Sequence, residues 1–264
     1  MAARPAKSQR LIRALLTGGY RGPGFRVERV GEVSVALCGN FHSDRILLLS
    51  PGFASALTDY GPVVRRFEKT HLVVRVGHPQ NGRSAGLQAL LLLDWHRWVG
   101  RLGAGPAARR VREWVHGRDR CLRRVAQFEV VADWLEQSFP GFRLSVLGHS
   151  FGTDTVLRFA LRRAVESVYL LSPHPPGYLV NREGYARLMA DRILVITGTR
   201  DVTRDGVGPE QRLAVAGAVP AGILEGAWIL PEVGHMDFAF TGLGPEGWEQ
   251  ALGRAIGSGN LDGK

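Results

Sequence analysis

The residues able to do chemistry are a serine, a carboxylate and an imidazole, each set just beyond a strand-like segment. The serine stands in Gly148-His149-Ser150-Phe151-Gly152, directly after the run Leu144-Ser145-Val146-Leu147 and directly before Thr153 to Leu161, which reads as a helix. In a strand, G-x-S-x-G, helix context the flanking glycines permit a tight, strained turn that lifts the serine hydroxyl above the sheet edge. With 34 glycines in 264 residues the five-residue pattern carries little weight alone; its position between strand and helix supplies the rest. A serine alcohol has a pKa far above 7 and needs a base, and the base needs a carboxylate to orient it and compensate its charge.

Three strand ends follow Ser150. The first, Ser172-Pro173-His174, has no acid beside it; the second, Gly198-Thr199-Arg200-Asp201, offers a carboxylate in a turn; the third, Pro231-Glu232-Val233-Gly234-His235-Met236-Asp237, offers the imidazole. Ser150, Asp201 and His235 are therefore the candidate nucleophile, orienting acid and base. Asp205 is an alternative acid, and Asp201 is preferred because it lies nearer its strand. Asp237 is too close to His235 in sequence to be its preferred orienter and reads as a turn or helix cap. Asp154 lies in the first turn of the helix after the serine, where a carboxylate suits the helix dipole without any catalytic role. His149 diverges from Ser150 on a tight turn and reads as a packed or hydrogen-bonded neighbour. His78 and His174 stand at other strand ends where they would line a pocket, too few for a metal site. For an oxyanion, two backbone N–H groups must converge: Phe151 follows the nucleophile, and Phe53 lies in Pro51-Gly52-Phe53-Ala54, where Gly52 permits close approach.

The elements that must hold these residues alternate along the chain. Residues 25–30 and 31–37 are two runs of period two around a glycine and predict an antiparallel hairpin with one face buried. Arg45 to Ser50 and Leu72 to Val76 predict strands buried on both faces, with a helical pattern over 54–68 between them. A helix is predicted over 119–139, ended by Pro140-Gly141, and feeds the strand before Ser150. Further strands are predicted at 167–171, 192–197 and 227–230, with helical patterns near 183–190, 208–218 and 245–256. Such alternation implies a mostly parallel sheet with its ligands at the carboxyl ends of the strands. The stretch from about 80 to 118, rich in Leu, Trp, Arg and Gly, exceeds an ordinary connection and is read as a cap over the sheet.

Length and a 45% hydrophobic composition suit one α/β domain with an insertion. Charges interrupt every apolar run well short of the roughly 18 residues a membrane span needs. Met1 to Arg26 carries six basic residues and no acid, and Arg13 breaks its apolar patch, so a docking helix is preferred to a secretory leader or a transit peptide. Two cysteines, Cys38 and Cys121, without a C-x-x-C pair, read as reduced thiols of a cytoplasmic protein. The net charge of +10 invites a nucleic-acid partner, yet all basic residues but Lys7, Lys69 and Lys264 are arginines scattered along most of the chain. No binding motif or interleaved aromatic platform accompanies them, which argues against that partner. Ten arginines between Arg83 and Arg124 would steer an anionic substrate or solvate a lid, and Trp95, Trp98 and Trp114 hint at an apolar face.

On Ser50-Pro51-Gly52-Phe53, Gly77-His78-Pro79, the G-x-S-x-G turn, Thr197-Gly198-Thr199-Arg200-Asp201 and Gly234-His235-Met236-Asp237-Phe238, the chain resembles the α/β-hydrolase superfamily. Within it, the chain looks like dienelactone hydrolases and platelet-activating-factor acetylhydrolase-like esterases, over about residues 25–240. The resemblance implies an α/β-hydrolase fold: a mostly parallel central sheet, helices on both faces and a helical cap. The residues themselves divide the chain into a basic arm or helix over 1–24 and the hydrolase domain over 25–260, with the cap insertion over 80–118 inside it; the stretch from about 84 to 118 matches nothing in the family. The resemblance also implies the Ser150, Asp201, His235 triad, the Phe53 and Phe151 amides, no cofactor and no metal. The expected activity is serine hydrolysis of a small-molecule carboxylic ester or thioester through an acyl-enzyme. The alternatives are a non-catalytic binding module on the same fold and acyl transfer by the same triad. Two departures stand out: Pro51 replaces the usual histidine before Gly52, and Thr153-Asp154 follows the turn where a small residue or another glycine is common.

Overall fold

A computed structural model describes residues 19–52, 55–78, 118–177, 180–202, 207–239 and 246–257. The proposed cap up to residue 117, the first 18 residues of the basic arm, Phe53, Asp205 and the three cap tryptophans lie outside them. Eight strands form one sheet: β1 (Arg26–Val30), β2 (Val33–Gly39), β3 (Arg45–Ser50), β4 (Leu72–Gly77), β5 (Arg143–His149), β6 (Val165–Leu171), β7 (Ala190–Arg200) and β8 (Leu224–Gly234). Among the described residues the helices are α1 (Gly61–Phe67), α2 (Arg118–Ser138), α3 (Phe151–Ala160), α4 (Arg182–Tyr185), α5 (Pro209–Leu213) and α6 (Trp248–Gly257), with a 3₁₀ turn at Ala216–Ala218.

The sheet order is β1-β2-β4-β3-β5-β6-β7-β8, antiparallel at β1-β2 and β2-β4 and parallel at every other pairing. From β3 the chain moves outward to β4, then returns to the other side of β3 for β5 and continues through β6, β7 and β8. That reversal puts the topological switch point at the carboxyl ends of β3 and β5, the place where ligands sit in open α/β sheets.

Strand residues alternate between two cores, as a period of two requires. Ile46, Leu48, Val74 and Val146 face one core with Phe128 and Leu135 of α2 and Val156 and Phe159 of α3. Leu47, Leu49, Val73 and Leu147 face the other, with Val63, Val64 and Phe67 of α1 and Leu252 and Ile256 of α6. Helices thus cover both faces, and the apolar runs of β3 and β4 are accounted for.

Several boundaries depart from the sequence expectation. The hairpin forms as predicted, but β2 is buried on both faces because it is an interior strand between β1 and β4, whereas β1 at the edge is mostly exposed. The helix predicted over 54–68 begins at Gly61, where Tyr60 in left-handed backbone (φ 69°) precedes Pro62 and sets the first turn. The pattern at 183–190 yields only α4, and that at 208–218 splits into α5 and the 3₁₀ turn. Arg118 already belongs to α2, so the boundary drawn for the cap overlaps this helix by its first residue. Cys38 and Cys121 are both free and buried. Among the described residues no helix is long and apolar enough to cross a membrane.

Candidate active site

Ser150 connects β5 to α3 with φ 53° and ψ −122°, a backbone state that costs a non-glycine residue of order 1–3 kcal/mol. Its neighbours explain how the turn is held. A Cβ on Gly148 would lie 2.5 Å from the Gly152 carbonyl oxygen, and one on Gly152 would lie 2.1 Å from that of Ser50, so both positions exclude any side chain. The Ser150 N–H donates to the Leu171 carbonyl at the end of β6 (3.0 Å), and Thr153 returns two bonds to the Ser150 carbonyl, from its N–H (2.9 Å) and its hydroxyl (2.6 Å). Thr153 thereby closes the turn. Phe151 is the first residue of α3, where the helix's own i to i−4 hydrogen-bond ladder has not yet begun.

Asp201 at the end of β7 and His235 after β8 are brought together, with His235 Nδ1 2.8 Å from Asp201 Oδ1. Asp201 Oδ2 accepts the Thr197 hydroxyl (2.9 Å), and Arg212 Nε of α5 lies 3.1 Å from Oδ1. Burial by itself would raise the Asp201 pKa. The hydrogen bond and charge of His235, with the charge of Arg212, outweigh it and hold the carboxyl well below the usual carboxylate range. An ionised Asp201 can only accept in this bond, so His235 carries a proton on Nδ1. Arg212 also donates to the carbonyls of Ser172 (3.1 Å) and Pro173 (2.9 Å), tying the β6 loop to the acid. Nothing in its spacing marked Arg212 among so many arginines.

The other candidates take supporting places. Asp237 Oδ2 accepts the Gly234 N–H (2.7 Å) and shapes the turn that carries His235, as a turn cap would. Asp154 of α3 pairs with His174 Nδ1 after β6, so beyond its place near the helix dipole it anchors that loop. His149 is buried, and its Nε2 donates to the His235 carbonyl (2.9 Å). Its Nδ1 therefore accepts the Tyr60 hydroxyl (3.0 Å), which itself accepts the Gly52 N–H (2.7 Å). Burial first, and the nearby charge of His235 second, bring the His149 pKa down to about 3, so it is neutral and a packed neighbour of the base. Tyr60 registered in the sequence only as an apolar helix position. It takes up the Gly52 amide, which leaves the next residue, Phe53, as the loop's donor candidate, outside the described residues.

Beneath the loop after β3 lies a second polar group. Ser50 Oγ meets His78 Nε2 (3.3 Å) and Arg124 Nη2 (3.1 Å), and Arg124 Nη2 also donates to the Pro51 carbonyl. His78, expected to line the pocket, is instead buried under it.

Neither a family model nor a curated protein matches the sequence. Solved structures do match by shape. Naproxen esterase (carboxylesterase NP) from Bacillus subtilis superposes with a TM-score of 0.57 at 13% identity, over 98% of this chain and 99% of that one. Dienelactone hydrolase from Anabaena variabilis gives 0.58 at 15% identity, over 89% and 96% of the two chains. An α/β serine hydrolase without a lid from Xanthomonas campestris gives 0.58 at 17% identity, over 89% and 92%. With six parallel strands, an antiparallel hairpin at one edge, helices on both faces and a strained serine turn at the switch point, this chain has the α/β-hydrolase fold.

Proposed function

We propose that the protein is a serine hydrolase that cleaves a small-molecule carboxylic ester or thioester through an acyl-enzyme on Ser150. The observation that carries this reading is the His235–Asp201 hydrogen bond of 2.8 Å, formed beyond β7 and β8 at the same end of the sheet as the Ser150 turn. In this reading His235 Nε2 takes the Ser150 proton as Oγ bonds to the acyl carbon. The carbonyl oxygen becomes an oxyanion received by the Phe53 and Phe151 amides. Collapse expels the alcohol or thiol, to which His235 returns the proton, and a water activated by His235 then releases the acid. Esterase and dienelactone hydrolase neighbours support hydrolysis as the reaction class.

Fluorophosphonate labelling of wild type beside Ser150→Ala, with mass spectrometry of the labelled peptide, tests the nucleophile. Label confined to Ser150, with turnover across a short-to-long acyl ester panel, is the expected result. A folded, monodisperse wild type that takes no label and turns over no ester would move the assignment to a binding module.

A further inference from the structure

Arg124 is wholly buried, although it carries a full charge into the body of the protein. Its guanidinium reaches both halves of the proposed oxyanion site. Nη2 donates to Ser50 Oγ and to the Pro51 carbonyl in the loop after β3, and Cζ stands 4.9 Å from the ring centroid of Phe151, the residue after the nucleophile.

Proton accounting fixes the direction of the bonds around it. The Glu32 carboxylate accepts from Gln127 Nε2 (3.0 Å), and Gln127 Oε1, an acceptor, takes the proton of His78 Nδ1 (2.8 Å). Neutral His78 then accepts at Nε2 from Ser50 Oγ (3.3 Å), which itself accepts from Arg124. Arg124 and Gln127 are three residues apart and so share one face of α2. Burial first, and the Arg124 charge second, keep His78 neutral, as this chain requires.

The loop is gripped at one peptide group. The Pro51 carbonyl is held by Arg124, and the N–H of the same peptide, that of Gly52, is held by the Tyr60 hydroxyl at 2.7 Å. That plane is thus fixed on both edges at the point where the chain leaves β3. Burying an arginine costs several kcal/mol that an apolar side chain of similar size would avoid. A packing role alone gives no reason for the charge, whereas orienting a carbonyl does.

We infer that Arg124, held by the chain through Ser50, His78, Gln127 and Glu32, is a positioning residue that fixes the Pro51–Gly52 peptide of the loop after β3 beside the Ser150 turn, where the proposed oxyanion forms. This rests on the acyl-enzyme reading above. The role is specific to the transition state, because the oxyanion, and not the bound ester, requires both amides at hydrogen-bond distance.

The test compares wild type with Arg124→Met, Arg124→Lys and Ser50→Ala for p-nitrophenyl ester hydrolysis. It adds inhibition by a trifluoromethyl ketone, whose serine adduct carries an oxyanion, and the thermal midpoint of each variant. Arg124→Met is expected to lower kcat by about 30- to 300-fold with KM within about threefold, up to the lower part of the roughly 10²- to 10³-fold cost of losing an oxyanion donor outright. Arg124→Lys is expected to recover part of that loss, and Ser50→Ala to lose about 3- to 10-fold, since a shared bond and not the cation is removed. Across the set the ketone inhibition constant should rise by the factor by which kcat/KM falls, whatever the thermal midpoints do. Folded variants with unchanged kcat and ketone affinity, or with KM alone altered, would overturn the inference while the hydrolase reading stands. If Arg124→Met does not fold, Ser50→Ala decides by the same two quantities. A wild type that neither takes the fluorophosphonate nor turns over an ester would overturn both.

Discussion

At the residue scale, the proposed chemistry depends on which atoms carry protons. Asp201 fixes the His235 tautomer, so Asp201→Asn keeps the shape of the pair but permits the wrong one. A fall in kcat of about 10⁴-fold with little change in KM is the expected result in steady-state assays. Ser150→Ala and His235→Ala should each remove nearly all ester turnover while circular dichroism stays unchanged. Substantial turnover in both would refute the triad. The three residues proposed as serine, acid and base could be picked out because each sits next to a strand that its own sequence announces, and the structure joins two of them, Asp201 and His235. Arg212, Tyr60 and Arg124 were not, because what gives each its role is a partner far along the chain. Arg212 needs Asp201 and the β6 loop, Tyr60 needs Gly52 and His149, and Arg124 needs Ser50 and Pro51. Periodicity locates a residue on a helix face but says nothing of which loop that face meets.

At the scale of elements, the Ser150 turn is a close packing of backbone on backbone. Gly152→Ala would drive a methyl to 2.1 Å from the Ser50 carbonyl oxygen, and Ser50, the last residue of β3, cannot yield without disturbing that strand's pairing with β5. A loss above about 3 kcal/mol in urea unfolding, or no soluble protein, is expected, in the range of severe overpacking. Gly217→Ala, where a Cβ meets nothing within 4 Å, should leave stability within about 0.5 kcal/mol. Equal effects of the two changes would remove the packing account. Strand positions were legible because buried parallel strands are short apolar runs; their order in the sheet was not. That β2 lies beside β4 follows from the path of the whole sheet, which makes β2 an interior strand with two buried faces.

At the scale of the whole molecule, three histidines among the described residues are buried and held neutral. Burial lowers His71 to about 4 and His149 to about 3, and it takes His78 well below its ordinary value. In each, the folded pKa lies below the unfolded value of about 6.5. The unfolded chain therefore binds more protons as pH falls, so stability is full above about 6.5 and declines toward the folded values. Each fully titrated difference of one proton contributes a slope of about 1.4 kcal/mol per pH unit. Asp201 adds a further loss only below about pH 4, where the unfolded carboxyl begins to protonate. Urea midpoints are therefore expected to fall already between pH 6.5 and 4.5, and His71→Gln should make that fall shallower. A midpoint flat down to pH 4.5 would contradict the neutral burial of these rings.

The order of the strands also sets when the centre becomes reactive during folding. The Ser150 turn rests on β3, β5 and the end of β6, whereas His235 follows β8, the last of these eight strands along the chain and the outermost partner of β7. A nascent chain can thus complete its strained serine turn before the Asp201–His235 pair exists. In the proposed mechanism the serine stays inert until β7 and β8 pair, so that closing this parallel ladder is the step that arms it.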